Sequence, residues 1–158
     1  MSLFLRVLRD TLILPGSVLV WVPWFLIAGG SAYRAHWPPA IADAPAFTLM
    51  AIGVAIYAMC ALRFATEGKG TPAPWDAPRK IVIGGIYRWT RNPMYVGVIT
   101  ALFGEAWWLN TQGMWVYAIA MPIAFHLRVI MYEEPAMRRI SEGDFASYTS
   151  RVKRWGFF

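Results

Sequence analysis

Four long apolar runs separated by polar segments organise this chain. The first covers 11–32, following Asp10. As a helix rising 1.5 Å per residue it would reach about 33 Å, enough to cross a hydrocarbon core of roughly 30 Å. The second covers 44–62, between Asp43 and Arg63. The third, 93–109, opens on Asn92, which suits an N-cap, and Pro93, which suits the first helical position. The fourth covers about 113–132, and only Asn110, Thr111, Gln112 and Gly113 separate it from the third. So short a link predicts an antiparallel helical hairpin. Pro15 and Pro23 fall inside the first run, where membrane helices tolerate proline because neighbouring groups satisfy the freed carbonyls. Pro122 predicts a kink in the fourth. The expected architecture is all-α: one membrane domain of four transmembrane helices, the last two a tight hairpin.

The polar segments orient these runs. Gly68, Gly70, Pro72, Pro74 and Pro78 make the first half of segment 65–91 a loop. The tail, 135–158, mixes polar and aromatic residues and predicts a short surface helix around Phe145 to Val152. Twelve of the fifteen Lys and Arg lie in the N-terminus, the 65–91 loop and the tail. The 33–43 connection carries only Arg34, and the hairpin turn carries none. By the positive-inside rule the 65–91 loop and both termini are cytoplasmic, and a bacterial inner membrane is the expected location. The first run is longer than a secretory signal's apolar stretch, so it reads as a retained span.

Composition agrees. Hydrophobic residues make up 58% and charged residues 15%, where a soluble domain carries about 25% charged residues. The formal net charge of +6 sits between apolar runs, where it meets anionic lipid head groups, and a nucleic-acid partner is not expected. One cysteine, Cys60, allows no intrachain disulfide. His36 and His126 fall on opposite sides of the predicted membrane, so no metal site is expected.

Candidate chemistry gathers at the cytoplasmic end of the predicted hairpin. One cluster runs from Gly84 to Gly97 and includes Gly85, Ile86, Tyr87, Trp89, Asn92 and Tyr95. The other holds His126, Arg128, Glu133 and Glu134. Two adjacent glutamates at a helix C-terminus stand against the helix dipole, and a bound cation would relieve them. S-adenosylmethionine carries two positive centres, and Tyr87, Trp89 and Tyr95 could add cation–π attraction. Ion pairs with Arg88, Arg91 or Arg138 would relieve the glutamates equally well. Pro135 predicts that the helix kinks or ends there. The helix start at Asn92 and Pro93 suits a carboxylate. Gly97 reads best as a close-packing residue. Ideal helix geometry puts Arg128 and Glu133 on different faces and His126 on the face of Glu133.

These residues resemble the isoprenylcysteine carboxyl methyltransferase and phospholipid methyltransferase families. The resemblance rests on Gly85-Ile86-Tyr87, on Arg91-Asn92-Pro93-Met94-Tyr95-Val96-Gly97, on Glu133-Glu134, and on Phe145, Tyr148 and Val152-Lys153-Arg154 in the tail. It covers roughly 79–158. It implies S-adenosylmethionine as cofactor, held by Gly85, Ile86, Tyr87, Asn92, Tyr95, Glu133 and Glu134. It implies Arg128 as the catalytic, substrate-side residue, and a lipophilic acceptor that enters from the bilayer. Asn92 stands where the family has histidine, which removes a titratable group from that position. Two other readings remain open: an NADPH-dependent membrane reductase, and a non-enzymatic accessory protein with a decayed site.

Overall fold

The computed structural model describes residues 3–28, 43–68, 82–140 and 142–156. The expected end of the first run (29–32), the connection with Arg34 and His36, and 69–81 of the loop lie outside the described residues. Every described element is helical. Helix α1, Leu3–Gly16, passes through a π-turn, Ser17–Trp21, into α2, Val22–Ala28. Helix α3 is Ala44–Arg63 and continues as a π-turn, Phe64–Gly68. A 3-10 turn, Gly85–Arg88, precedes α4, Pro93–Leu109. Helix α5, Gln112–Arg128, runs unbroken through Pro122 and leads by a π-turn, Val129–Glu133, into α6, Glu134–Ile140. Helix α7, Glu142–Arg151, is the surface helix expected in the tail.

Among the described residues three continuous helices are long and apolar enough to cross a membrane: Leu8–Ala28, Ala44–Gly68 and Gln112–Arg139. The third expected span, α4, has 17 residues. At 1.5 Å per residue it reaches about 26 Å, short of a full crossing. The fourth run is longer than expected. The helix neither ends nor frays at Pro135, which lies two residues beyond the π-turn. The backbone N–H of Glu134 reaches back five residues to the Val129 carbonyl, so the helix widens just before proline withdraws its donor. The same device precedes Pro23, where the Val22 N–H donates to the Ser17 carbonyl. The loop is correspondingly shorter, since 65–68 remain helical.

The outer faces are apolar. Val116, Ile119, Ile123 and Leu127 form an exposed stripe along α5, and Trp21, Trp24 and Phe25 are exposed on the first helix. Apolar surface on this scale marks contact with lipid or with another protein.

The interior is organised by α3 against α4. A Cβ on Gly97 would lie 2.8 Å from the Gly53 carbonyl oxygen, and one on Gly104 would lie 2.6 Å from that of Ala46. Backbone therefore packs on backbone, the close-packing role expected for Gly97. The α4–α5 hairpin turns on Asn110, which adopts the left-handed conformation (φ 46°) that asparagine tolerates. Thr111 caps α5 by accepting from the Met114 N–H at 3.3 Å. Leu102, Ala106, Leu109, Met114 and Ala118 form the buried core of this hairpin.

Candidate functional site

The hairpin brings the start of α4 beside the end of α5, and the C-terminal residues lie across both. After α7 the chain returns as a strap. The Arg91 N–H donates to the Lys153 carbonyl at 3.0 Å. The Thr90 hydroxyl and the Asn92 amide both donate to the Arg154 carbonyl, at 2.8 and 3.1 Å. The Tyr148 hydroxyl donates to the Tyr87 carbonyl at 2.7 Å. Burial pushes the Tyr148 phenol up to about 12, so it stays a donor at neutral pH. Trp155 donates its indole N–H to His126 Nδ1 at 3.0 Å. His126 therefore serves the strap rather than Glu133.

The two glutamates go to different partners. Glu134 is held by two arginines: Arg154 makes a bidentate pair at 2.7 and 2.9 Å, and Arg91 lies at 3.0 Å. The Glu134 carboxylate holds the Arg154 guanidinium above its ordinary range, while burial pulls Arg91 below. Glu133 accepts from the Tyr95 hydroxyl and pairs with Arg128 at 2.9 Å. The expectation that Arg128 and Glu133 lie on different faces is overturned. Five residues span a little more than one turn of a π-helix, so the turn 129–133 brings 128 and 133 alongside each other. The same extra residue removes the seven-residue alignment of His126 with Glu133.

The cationic partners that the glutamates require come from the chain itself, and of the three arginines weighed for that role Arg91 is the one that serves. Asn92 occupies the N-cap position but its side-chain oxygen makes no cap bond to α4; its amide nitrogen donates to the strap instead. The aromatic residues are committed as well. Tyr87 stacks on Phe64 and Tyr95 lies against Phe125, at centroid distances of 5.7 and 4.5 Å, while Trp89 is exposed. Ile86 packs beside Tyr87, Val82 and Cys60. Gly85 has φ 57°, a conformation glycine adopts without strain, and the guanidinium of Arg63 lies against it. Arg63 is itself paired with Glu67 across the α3 π-turn.

The structure thus joins Tyr95, Arg128 and Glu133 in one set, and Glu134 and Asn92 in a second through Arg154. It sets Gly85, Ile86 and Tyr87 in the adjoining turn. Sequence reasoning missed Arg154 as a partner of Glu134, and Arg63. Arg154 carried a signal in its Val-Lys-Arg setting, but nothing local says that it folds back twenty residues.

One feature of the inner set suits a ligand. Arg91 Nε is buried and has no hydrogen-bond partner. A buried donor left unpaired is costly, and an acceptor such as a carboxylate would satisfy it. S-adenosylmethionine offers a carboxylate for Arg91 and an ammonium for Glu133 or Glu134, so these residues fit the group.

Among the described residues no group of three or more His, Cys, Asp or Glu is placed to hold a metal ion. No curated protein and no solved structure matches the chain. A family profile described as phospholipid methyltransferase matches residues 41–142, well over half of the chain. The match spans α3, the 3-10 turn, the α4–α5 hairpin and both glutamates. The chain therefore belongs to the phospholipid methyltransferase family, and that membership implies methyltransferase activity.

Proposed function

We propose that the protein transfers a methyl group from S-adenosylmethionine to a lipophilic acceptor that approaches from the bilayer. The observation that carries this reading is the pairing of two adjacent carboxylates with different arginines, one set buried under the strap and one open at the helix surface. Glu134 and Arg154 are 13% and 29% exposed, whereas Glu133 and Arg128 are 34% and 42% exposed. The inner set takes the cofactor's charged end: Arg91 binds its carboxylate through the unpaired Nε, and Glu134, with Glu133 of the neighbouring set at its edge, binds its ammonium. S-adenosylmethionine supplies an electrophilic methyl on a sulfonium, which needs a positioned nucleophile more than an acid or a base. Arg128, oriented by Glu133 and Tyr95, faces the acceptor and holds its polar head. The strap excludes water from the inner set through Tyr148, Arg154 and Trp155. Asn92 anchors the strap and needs no proton of its own, so the loss of a histidine there is compatible with activity.

In this reading α4 is a fourth span, short but packed against α3 and α5, and both termini and the 85–92 turn face the cytoplasm. A reporter that is active only outside the cytoplasm, fused after Phe158, should be silent, and activity there would overturn the topology.

Function is tested by titrating the solubilised protein with S-adenosylmethionine, S-adenosylhomocysteine and NADPH. Both sulfur compounds should bind and NADPH should not. Failure of both to bind at millimolar concentration sinks the proposal, and binding of NADPH alone would favour a reductase. The double variant Glu133→Gln/Glu134→Gln should weaken cofactor binding, and unchanged affinity would make the pair structural only.

A further inference from the structure

A second basic feature lies beside Tyr148 and uses none of the charged residues of the glutamate sets. Between the 3-10 turn and α7 is a cavity of about 330 Å³ lined by Ile83, Gly84, Arg88, Tyr148, Arg151 and Val152. It holds two guanidinium groups and no carboxylate. Arg88 makes no ion pair or hydrogen bond among the described residues. Arg151 spends Nε and one terminal nitrogen on Ser147, which orients it and leaves its other terminal nitrogen available. The nearby acid Glu67 is taken by Arg63. The remaining lining is aliphatic or aromatic. At the rim Ile83 is 50% exposed and Trp89, next to Arg88, is 79% exposed. An exposed Trp beside an arginine is the arrangement found at the boundary between bilayer and water.

We propose that this cavity binds the phosphate of an anionic glycerophospholipid, with Arg88 and Arg151 as ligands and Trp89 and Ile83 against the upper acyl chains. Basic pockets at the cytoplasmic boundary are suited to such head groups. The two arginines come from different elements, so a phosphate between them clamps α7, and with it the strap, onto the 3-10 turn. The site therefore couples the lipid composition of the membrane to closure of the strap over Glu134. The inference rests on the chain being embedded in a bilayer and not on methyl transfer.

The test is equilibrium binding of a fluorescently labelled phosphatidylglycerol to the full chain in detergent micelles. Unlabelled phosphatidylglycerol should displace the probe, and inorganic phosphate at the same concentration should not. Arg88→Gln removes no described intramolecular bond and should leave the fold intact, yet weaken binding about fivefold, the effect of one surface arginine on an anionic head group. Arg88→Gln with Arg151→Gln should weaken it about thirtyfold by the same measure. Arg139→Gln, at an exposed arginine outside the cavity, should change nothing. Unaltered binding in Arg88→Gln overturns the site. An equal loss in Arg139→Gln reduces it to diffuse charge and also overturns it. Equal displacement by inorganic phosphate overturns the lipid as the source. None of these readouts involves S-adenosylmethionine, so the failure of one proposal is distinguishable from the failure of the other.

Discussion

The α3–α4 seam and the glutamate site share α4 as one wall and are built in opposite ways. In the seam Gly53, Gly97 and Gly104 bring backbone against backbone, so the nearest atoms at each are mostly ones that cannot move aside. At the site the contacts are made by long side chains, Arg91, Arg128 and Arg154, which can exchange one partner for another. The seam fixes where α4 lies. The site uses that fixed position as one wall and lets the strap supply the other. A rigid frame beside exchangeable ion pairs is what a site needs if it is to admit a charged ligand and close over it.

The largest expected effect lies in the seam. Gly53→Val would drive branched carbon into the Gly97 carbonyl and the backbone and side chain of Ala101. Overpacking costs about 1–3 kcal/mol even where side chains can move, and here backbone blocks relaxation. Thermal denaturation in detergent should show a collapsed or much lower transition, and a wild-type transition would mean that the seam opens easily.

Glu134→Gln comes next. It leaves Arg91 and Arg154 facing each other without a counter-charge, and hydrogen bonds to charged groups are worth roughly 1.5–3 kcal/mol each. The melting temperature should fall and the tail should become sensitive to protease. A tail still protected to the wild-type degree would show that the backbone bonds to Thr90 and Asn92 suffice.

Tyr148→Phe should cost about 1 kcal/mol, the net value of one hydrogen bond. It also has a pH signature. The folded phenol is raised to about 12 by burial, above its ordinary value of about 10. A raised group stabilises fully below its unfolded pKa and loses that stabilisation as pH climbs through the folded one. The wild type should therefore lose stability between about pH 10 and 12, and Tyr148→Phe should lose less over that window. Parallel curves would remove Tyr148 from the account.

Arg128→Gln should have the smallest effect on stability, about 0–1 kcal/mol for so exposed a pair. Methyl transfer should still fall about tenfold or more, corresponding to roughly 1.4 kcal/mol of barrier. Full activity would sharpen the comparison differently, leaving Glu133 and Tyr95 as structural partners.

Much of this frame is legible in the chain. Apolar runs and turn residues announce the helices and the hairpin, because helix length and hydropathy are local properties. The clustering of Asn92, Tyr95, Arg128 and the two glutamates follows from the short link at 110–113. The alignment of Arg128 with Glu133 does not, because it depends on a π-turn that exists to accommodate Pro135. Ideal periodicity misplaces every face beyond that turn. The same proline predicts a kink or a stop; the helix does not stop, because a widened turn upstream carries it through.

What the sequence determines by itself is the membrane character, the all-helical class and the end of the hairpin where the charged residues gather, since these depend on hydropathy and charge counted along the chain. Which arginine holds which glutamate was decided only by the tertiary structure. Arg154 reaches Glu134 because the strap returns over the hairpin, and Arg128 reaches Glu133 because the backbone takes one extra residue in a single turn. Neither event leaves a period or a composition to read, because each depends on how separate segments satisfy their buried polar groups once packed.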